Sequence, residues 1–110
     1  MIIFQAIWRV LPADRDRVIA VLRRLVEPTR ALTGCAACRI CTDSDDPNSI
    51  TYTEEWTERP LLDAHLRDDS IKVLLSAIEL ASVQPIIRIQ TVSEDHALDA
   101  ISAARARRGS

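Results

Sequence analysis

The sequence has little glycine, few aromatic residues and almost no net charge. Two glycines in 110 residues exclude collagen-like and glycine-rich low-complexity chains. The 14 basic and 16 acidic side chains nearly cancel. The chain therefore lacks the basic stripe that binds nucleic acid and the polybasic segment that binds anionic membranes. We expect neither nucleic acid nor a membrane as a partner.

Long hydrophobic runs are also missing, although the apolar content is high. No run of 18 apolar residues occurs, which excludes a transmembrane helix. The first nine residues lack a basic leader and a small-residue cleavage site, so we expect no signal peptide and a cytoplasmic location. Apolar residues make up 47% of the chain, too much for a disordered segment, and the length suits one domain.

The three cysteines, Cys35, Cys38 and Cys41, lie close together. An odd number at this spacing does not form a disulfide framework, and an iron–sulfur cluster needs four thiolates. Residues 35–43 predict a strand, in which alternation places Cys35 and Cys41 on one face and Cys38 on the other. Ligands on opposite faces of a sheet cannot share one ion. We expect buried free thiols and no metal site.

Hydrophobic periodicity predicts four strands and four helices. The strands are expected at 2–10, 35–43, 49–57 and about 83–92. The first helix follows Asp14, and the other three cover about 60–67, 70–81 and 95–106. Pro28 should end or kink the first helix. The order β-α-β-β-α-β predicts an α+β, ferredoxin-like fold with a four-stranded antiparallel sheet. We expect one domain over 1–94, followed by a C-terminal helix and basic tail over 95–110.

The faces of these elements predict which side chains are buried. In the third strand, Tyr52, Glu54 and Trp56 share one face. The last helix is expected to be amphipathic. The third helix should bury the stripe Ile71, Leu74, Leu75 and Ile78. Helices cover only one face of such a sheet, and the other face is also apolar, which predicts a homodimer that stacks sheet on sheet.

Several short segments, in this order, resemble the antibiotic biosynthesis monooxygenase family. They are residues 29–35 (TRALTGC), 45–47 (DDP), 54–56 (EEW), 65–67 (HLR) and 91–93 (TVS). The resemblance extends from the first strand to the fourth. It implies a dimeric α+β barrel in which each subunit holds a pocket between its sheet and its helices. Family members include cofactor-independent oxygenases of quinols and anthrone-like compounds, haem-degrading enzymes and isomerases.

The resemblance also implies a site. It points to the tryptophan of the third strand and the histidine of the following helix, which are Trp56 and His65 here. Histidine is the usual general base near neutral pH. An aromatic wall beside it would hold a planar substrate and exclude water. The expected catalytic residues are His65, Trp56 and Glu54, and the expected substrate-binding residues are Tyr52, Leu62 and Leu66.

Two departures from the family pattern narrow the function. The first strand has no asparagine, which haem-degrading relatives use, so haem degradation is not expected. Anthrone-oxidising relatives use an asparagine where this chain has Tyr52. The leading hypothesis is a cofactor-independent monooxygenase of a quinol or other small aromatic enol, with His65 as base. The alternatives are a non-catalytic dimer that binds a small hydrophobic molecule, and an oxygen-independent isomerase. Trp56 and Glu54 also fit purely structural roles, as core filler and as a hydrogen-bond partner.

Overall fold

The computed structural model describes residues 1–107, and its elements follow the predicted order. The elements are β1 (Ile2–Arg9), α1 (Arg15–Arg30), β2 (Cys35–Thr42), β3 (Ser49–Trp56), α2 (Arg59–Arg67), α3 (Ile71–Leu80), β4 (Ile86–Thr91) and α4 (Asp99–Arg107). The strands form one antiparallel sheet in the order β2-β3-β1-β4. This confirms the α+β, ferredoxin-like fold. The end of the predicted basic tail, 108–110, lies outside the described residues.

The core lies between the sheet and the helices that cover one of its faces. In β1, Phe4, Ala6 and Trp8 are buried, whereas the residues between them are only half-buried. Pairing of Phe4 with Glu54 and of Ala6 with Tyr52 places the buried residues of β3 on the same face. Val18, Leu22 and Leu25 of α1 complete this buried cluster.

Helix α1 continues past Pro28 to Arg30, so of the two expected effects of Pro28, an end or a kink, the first does not occur. The last turn is held from outside the helix. Thr29 is buried, and the Nε of Arg30 donates to the carbonyl oxygen of Cys38 in β2 at 2.9 Å. These contacts compensate for the hydrogen bond that proline cannot donate.

A β-bulge in β2 overturns the predicted distribution of the cysteines. Cys35 pairs with Trp56 and Cys38 pairs with Glu54, with one unpaired residue, Ala36, between the two registers. The extra residue shifts the alternation by one position. Cys35 and Cys38 therefore share the helix-covered face, where Cys35 is half-buried and Cys38 is buried. Cys41 is exposed on the opposite face, so the expectation of a buried thiol is wrong for Cys41.

The C-terminal elements are less buried than their patterns predict. Helix α3 buries Leu74 and Ala77, whereas Leu75, expected in the core, is 49% exposed. Helix α3 packs on α1 with Leu74 and Ala77 in the buried positions, and Leu75 faces outward. Within Asp99–Arg107, no residue of α4 is buried, so this helix does not show the expected amphipathic packing. All six residues of β4 are exposed in the single chain.

Candidate active site

Strand β3 and helix α2 bring the predicted catalytic residues together. Regular alternation in β3 places Tyr52, Glu54 and Trp56 on the helix-covered face, all at most 1% exposed. Two residues separate helix α2 from β3, and the first turn of α2 contains a proline. Proline is favourable there because the first N–H groups of a helix have no partner within the helix, and proline has no N–H to leave unpaired. Its inner face buries Leu62 and His65, which are three residues apart.

Glu54 is the centre of a buried hydrogen-bond network. Its Oε2 accepts from the Tyr52 hydroxyl at 2.5 Å and lies 3.0 Å from Nε2 of His65. Its Oε1 accepts from Nε1 of Trp56 at 2.9 Å. A buried carboxylate is costly unless it is paired, and an ionised carboxylate can accept all three of these bonds together. The network therefore suits an ionised Glu54.

The arrangement also assigns the roles of the two ring nitrogens of His65. With Nε2–H directed at Glu54, the neutral imidazole carries its free lone pair on Nδ1. This Nδ1 is buried and has no hydrogen-bond partner within residues 1–107. The Trp56 ring lies against the imidazole, with ring centroids 5.3 Å apart. A histidine held by a carboxylate on one nitrogen and free on the other has the geometry of a general base.

A cleft of about 350 Å³ opens beside this histidine. Its walls come from the turn between α1 and β2 on one side and from α2 on the other. The volume is in the range of small-molecule sites. The lining residues are Leu32, Thr33, Trp56, Leu61, Ala64, His65 and Asp68.

Gly34 holds the two walls of the cleft together. Its φ of +85° lies in the left-handed region, which favours glycine. A Cβ at this position would stand 2.2 Å from Cδ1 of Leu61, so the missing side chain lets α2 approach the turn. The Gly34 carbonyl oxygen also accepts from the backbone N–H of Thr57 at 2.9 Å. The width of the cleft therefore depends on this close backbone contact.

Behind the cleft, Cys38 and Tyr52 extend the network into the core. The Sγ of Cys38 donates to the Tyr52 hydroxyl oxygen at 3.4 Å. Burial raises the pKa of the Cys38 thiol to about 11. Burial, together with the nearby charge of Glu54, also raises the pKa of the Tyr52 hydroxyl. Both groups keep their protons at neutral pH, so the hydrogen bonds run in one direction, from Cys38 through Tyr52 to Glu54.

The predicted site residues occupy three different positions. Trp56 and His65 line the cleft, and Glu54 lies directly behind them. The residues expected to bind substrate are not among the lining residues. Tyr52 and Leu62 are fully buried, and Leu66 is half-buried against the core.

Sequence reasoning missed five of the residues that line the cleft. Leu32 and Thr33 lie in a turn, where no periodicity marks them. Leu61 and Asp68, by contrast, lie four residues before and three residues after His65, a spacing that places them near it on one helical face. That spacing was a usable signal. The fifth is Ala64, the residue before His65 in α2. Cys38 does not line the cleft, and its part in the network behind it was missed because the bulge hides which face of the sheet it occupies.

A ferredoxin-like sheet that buries a carboxylate–histidine pair beside an open cleft defines a small α+β protein with an enzyme-like site. The family model for antibiotic biosynthesis monooxygenases matches residues 1–75. The chain belongs to this family.

Solved structures share the fold. Rv0793 of Mycobacterium tuberculosis is 20% identical, with a TM-score of 0.77 over 87% of this chain and 98% of that one. A conserved protein from Methanosarcina mazei Go1 is 26% identical, with a TM-score of 0.75 over 81% of this chain and 89% of that one. A protein described as an antibiotic biosynthesis monooxygenase is 24% identical, with a TM-score of 0.74 over 86% of this chain and all of that one.

A curated relative is the uncharacterized protein sll1783 of Synechocystis, which is 30% identical over 59 residues. The match covers 54% of this chain, and it spans only 40% of the length of that relative. In the described part of the chain, no helix has the length and apolar character needed to cross a membrane.

Proposed function

We propose that this member of a monooxygenase family is a cofactor-independent monooxygenase of a small aromatic phenol, quinol or enol, with His65 as the general base. One observation carries the proposal: His65 lines the cleft with Nε2 held 3.0 Å from Glu54 and with Nδ1 free of any partner within residues 1–107. Family membership supports the reaction class. The fold alone would not, because one fold can host many functions.

The first step is removal of a proton from the substrate. The hydroxyl of the substrate donates its proton to Nδ1 of His65, and the imidazolium that forms is stabilised by the carboxylate of Glu54. Because Glu54 is fully buried, its charge acts across a medium with little water, which strengthens the attraction. The product of this step is an electron-rich substrate anion.

The anion then reacts with dioxygen, and the atoms and electrons balance without a further reductant. One electron passes from the anion to dioxygen, and the resulting radical and superoxide join through a new carbon–oxygen bond. His65 returns its proton to give a hydroperoxide. The carbon that carries the hydroperoxide then loses its hydrogen as a proton, the electrons of that C–H bond form C=O, and the oxygen–oxygen bond breaks as the outer oxygen leaves as water. Overall the substrate loses one O–H hydrogen and one C–H hydrogen, one oxygen atom of dioxygen enters the product as C=O, and the other becomes water.

The cleft lining suits such a substrate. The indole of Trp56 and the aliphatic side chains of Leu32 and Leu61 present apolar surface to a planar ring. Exclusion of water by these walls would also protect the anion from reprotonation by solvent.

Oxygen uptake with a panel of quinols and anthrones tests the proposal. His65→Ala is expected to lower the rate about 100-fold or more. The matched control is His96→Ala, because His96 also lies 3.0 Å from a carboxylate, that of Glu94, but is exposed. His96→Ala is expected to keep the full rate. Equal rates in the His65→Ala variant and the parent protein would refute the role of His65.

The same panel separates the two alternatives. Turnover that continues under anaerobic conditions would indicate an isomerase. Ligands that raise the melting temperature without any turnover would indicate a non-catalytic binding protein.

We also propose that the protein is a homodimer. Ile86 of the edge strand β4 is 56% exposed on the face of the sheet that the helices do not cover, and Ile87 and Ile89 are 46% and 39% exposed on the opposite face. A second copy of the chain packed against this edge would cover apolar surface on both faces. Sedimentation velocity at micromolar concentration is expected to give a dimer, and Ile86→Glu is expected to shift it toward the monomer. A monomeric parent protein would refute the proposal.

A further inference from the structure

We propose that Asp68 makes the cleft selective by charge: it favours aromatic ligands with a neutral hydrogen-bond donor at the end away from His65 and disfavours those with a carboxylate there. The inference rests on the proposed function only in taking the ligand to be a hydroxylated aromatic. It adds a specificity-determining residue that the catalytic scheme does not use.

The charged side chains around the cleft support this proposal. Among the seven lining residues, Asp68 is the one acidic side chain, and none is lysine or arginine. Buried Glu54 lies behind the cleft and is already paired with three donors. An anionic substituent in the cleft would therefore meet a carboxylate and no cation other than His65 itself.

Asp68 is held in its ionised form. Its Oδ2 accepts from the backbone N–H of Ser70 at 3.2 Å. The side chain of Ser70, followed by its backbone, lowers the pKa of Asp68, and a positive charge on His65 lowers it further. Asp68 therefore stays charged at neutral pH, and it lines the same cleft as His65.

The direction of α2 adds to the negative potential of Asp68. Asp68 follows the last residue of this nine-residue helix, and its backbone N–H donates to the carbonyl oxygen of His65 at 3.2 Å. The C-terminal end of a helix carries a partial negative charge. The side chain of Asp68 and the helix end therefore act with the same sign on whatever enters the cleft.

The two polar positions also fix the orientation of a ligand. His65 and Asp68 are three residues apart on one helix, so they are separated by about 4.5 Å along its axis. Because both residues line one cleft, a ligand that donates a hydroxyl to His65 and fills the cleft presents another edge to Asp68. That edge can donate a hydrogen bond from an amine or hydroxyl, whereas a carboxylate there would be repelled.

A pair of ligands that differ only at this edge tests the inference: an aminonaphthol and the corresponding hydroxynaphthoic acid. Both keep the phenolic hydroxyl for His65. Equilibrium binding by isothermal titration calorimetry is expected to favour the aminonaphthol by about fivefold or more. In Asp68→Asn the preference is expected to fall to nearly one.

The matched control is Asp69→Asn. Asp69 is the next residue, is almost fully exposed, does not line the cleft, and has its carboxylate 3.7 Å from the Nζ of Lys72. This variant is expected to keep the parent preference. Circular dichroism of both variants checks that the fold is retained.

Three results would overturn the inference: equal affinities for the two ligands in the parent protein, a preference that survives in Asp68→Asn, or no binding of either ligand. Because binding is measured without turnover, failure of the oxygenase proposal gives a different result. In that case oxygen uptake would be absent while the charge preference in binding remained.

Discussion

Replacing Tyr52 with phenylalanine tests the buried network by removing a single oxygen atom. That oxygen donates to Oε2 of Glu54 at 2.5 Å and accepts from Sγ of Cys38 at 3.4 Å. The ring of phenylalanine fills the same space, so the substitution opens no large cavity. The change in stability therefore reports mainly on the two hydrogen bonds.

The expected loss follows from the kind of hydrogen bond. A bond to a charged group contributes about 1.5–3 kcal/mol net, and the thiol is a weak donor that adds little. Glu54 keeps its contacts with Trp56 and His65, so its charge is not left unpaired. We expect Tyr52→Phe to lower the free energy of unfolding by about 2 kcal/mol. For a domain of this size that corresponds to a fall of roughly 10 °C in the melting temperature.

Urea denaturation followed by circular dichroism measures this loss. The matched control is Thr53→Val on the same strand, because the Thr53 hydroxyl makes a neutral hydrogen bond of 3.3 Å with Nε2 of Gln5 on the other face of the sheet. We expect that variant to lose less than about 1 kcal/mol. The dependence of the unfolding free energy on urea should be the same in all three proteins.

A loss in Tyr52→Phe no larger than that in Thr53→Val would refute the reasoning. It would mean that the bond between Tyr52 and Glu54 is not charge-assisted. Glu54 would then not be the buried, ionised acceptor that the mechanism requires. The result would count against the role of Glu54 in holding His65 and not only against the estimate for Tyr52.

Three further predictions follow from the same region. Tyr52 is the only tyrosine, and its raised pKa means that phenolate absorbance should appear on alkaline titration only as the protein unfolds. Stability should fall as pH rises from 9 to about 11, because in this range the Cys38 thiol loses its proton in the unfolded chain and keeps it in the folded one. The midpoint of urea denaturation should therefore fall less across this range in Cys38→Ala than in the parent protein. Gly34→Ala should lower the melting temperature through both strain at φ +85° and contact with Leu61, and Leu61→Ala should restore part of the loss. A Gly34→Ala protein as stable as the parent would contradict the account of the cleft walls.

The sequence predicted the fold and the centre of the site well because both depend on regular elements. Strand β3 pairs with β1 without a break in register, so the shared face of Tyr52, Glu54 and Trp56 was readable from spacing alone. The hydrogen bonds that converge on Glu54 were not readable, because they depend on distances between side chains from different elements.

The errors have local physical causes. The unpaired Ala36 reversed the faces assigned to the cysteines, and a bulge has no reliable signature in a short strand of small residues. Leu75 fits the apolar stripe of α3, but Leu74 and Ala77 occupy the buried positions of this helix. Periodicity identifies an apolar side of a helix, and packing decides which part of that side faces the core.

Three buried donors share the carboxylate of Glu54, and this limits how the site can change through evolution. Loss of Glu54 alone would leave the buried donors of Tyr52, Trp56 and His65 without an acceptor, and each such orphan costs about 1–3 kcal/mol. A single substitution at one of these four positions therefore lowers stability. Replacement of all four by apolar residues of similar size can leave stability nearly unchanged. Among homologous sequences, these four positions should change together: all polar where the chemistry is retained, and all apolar where it has been lost.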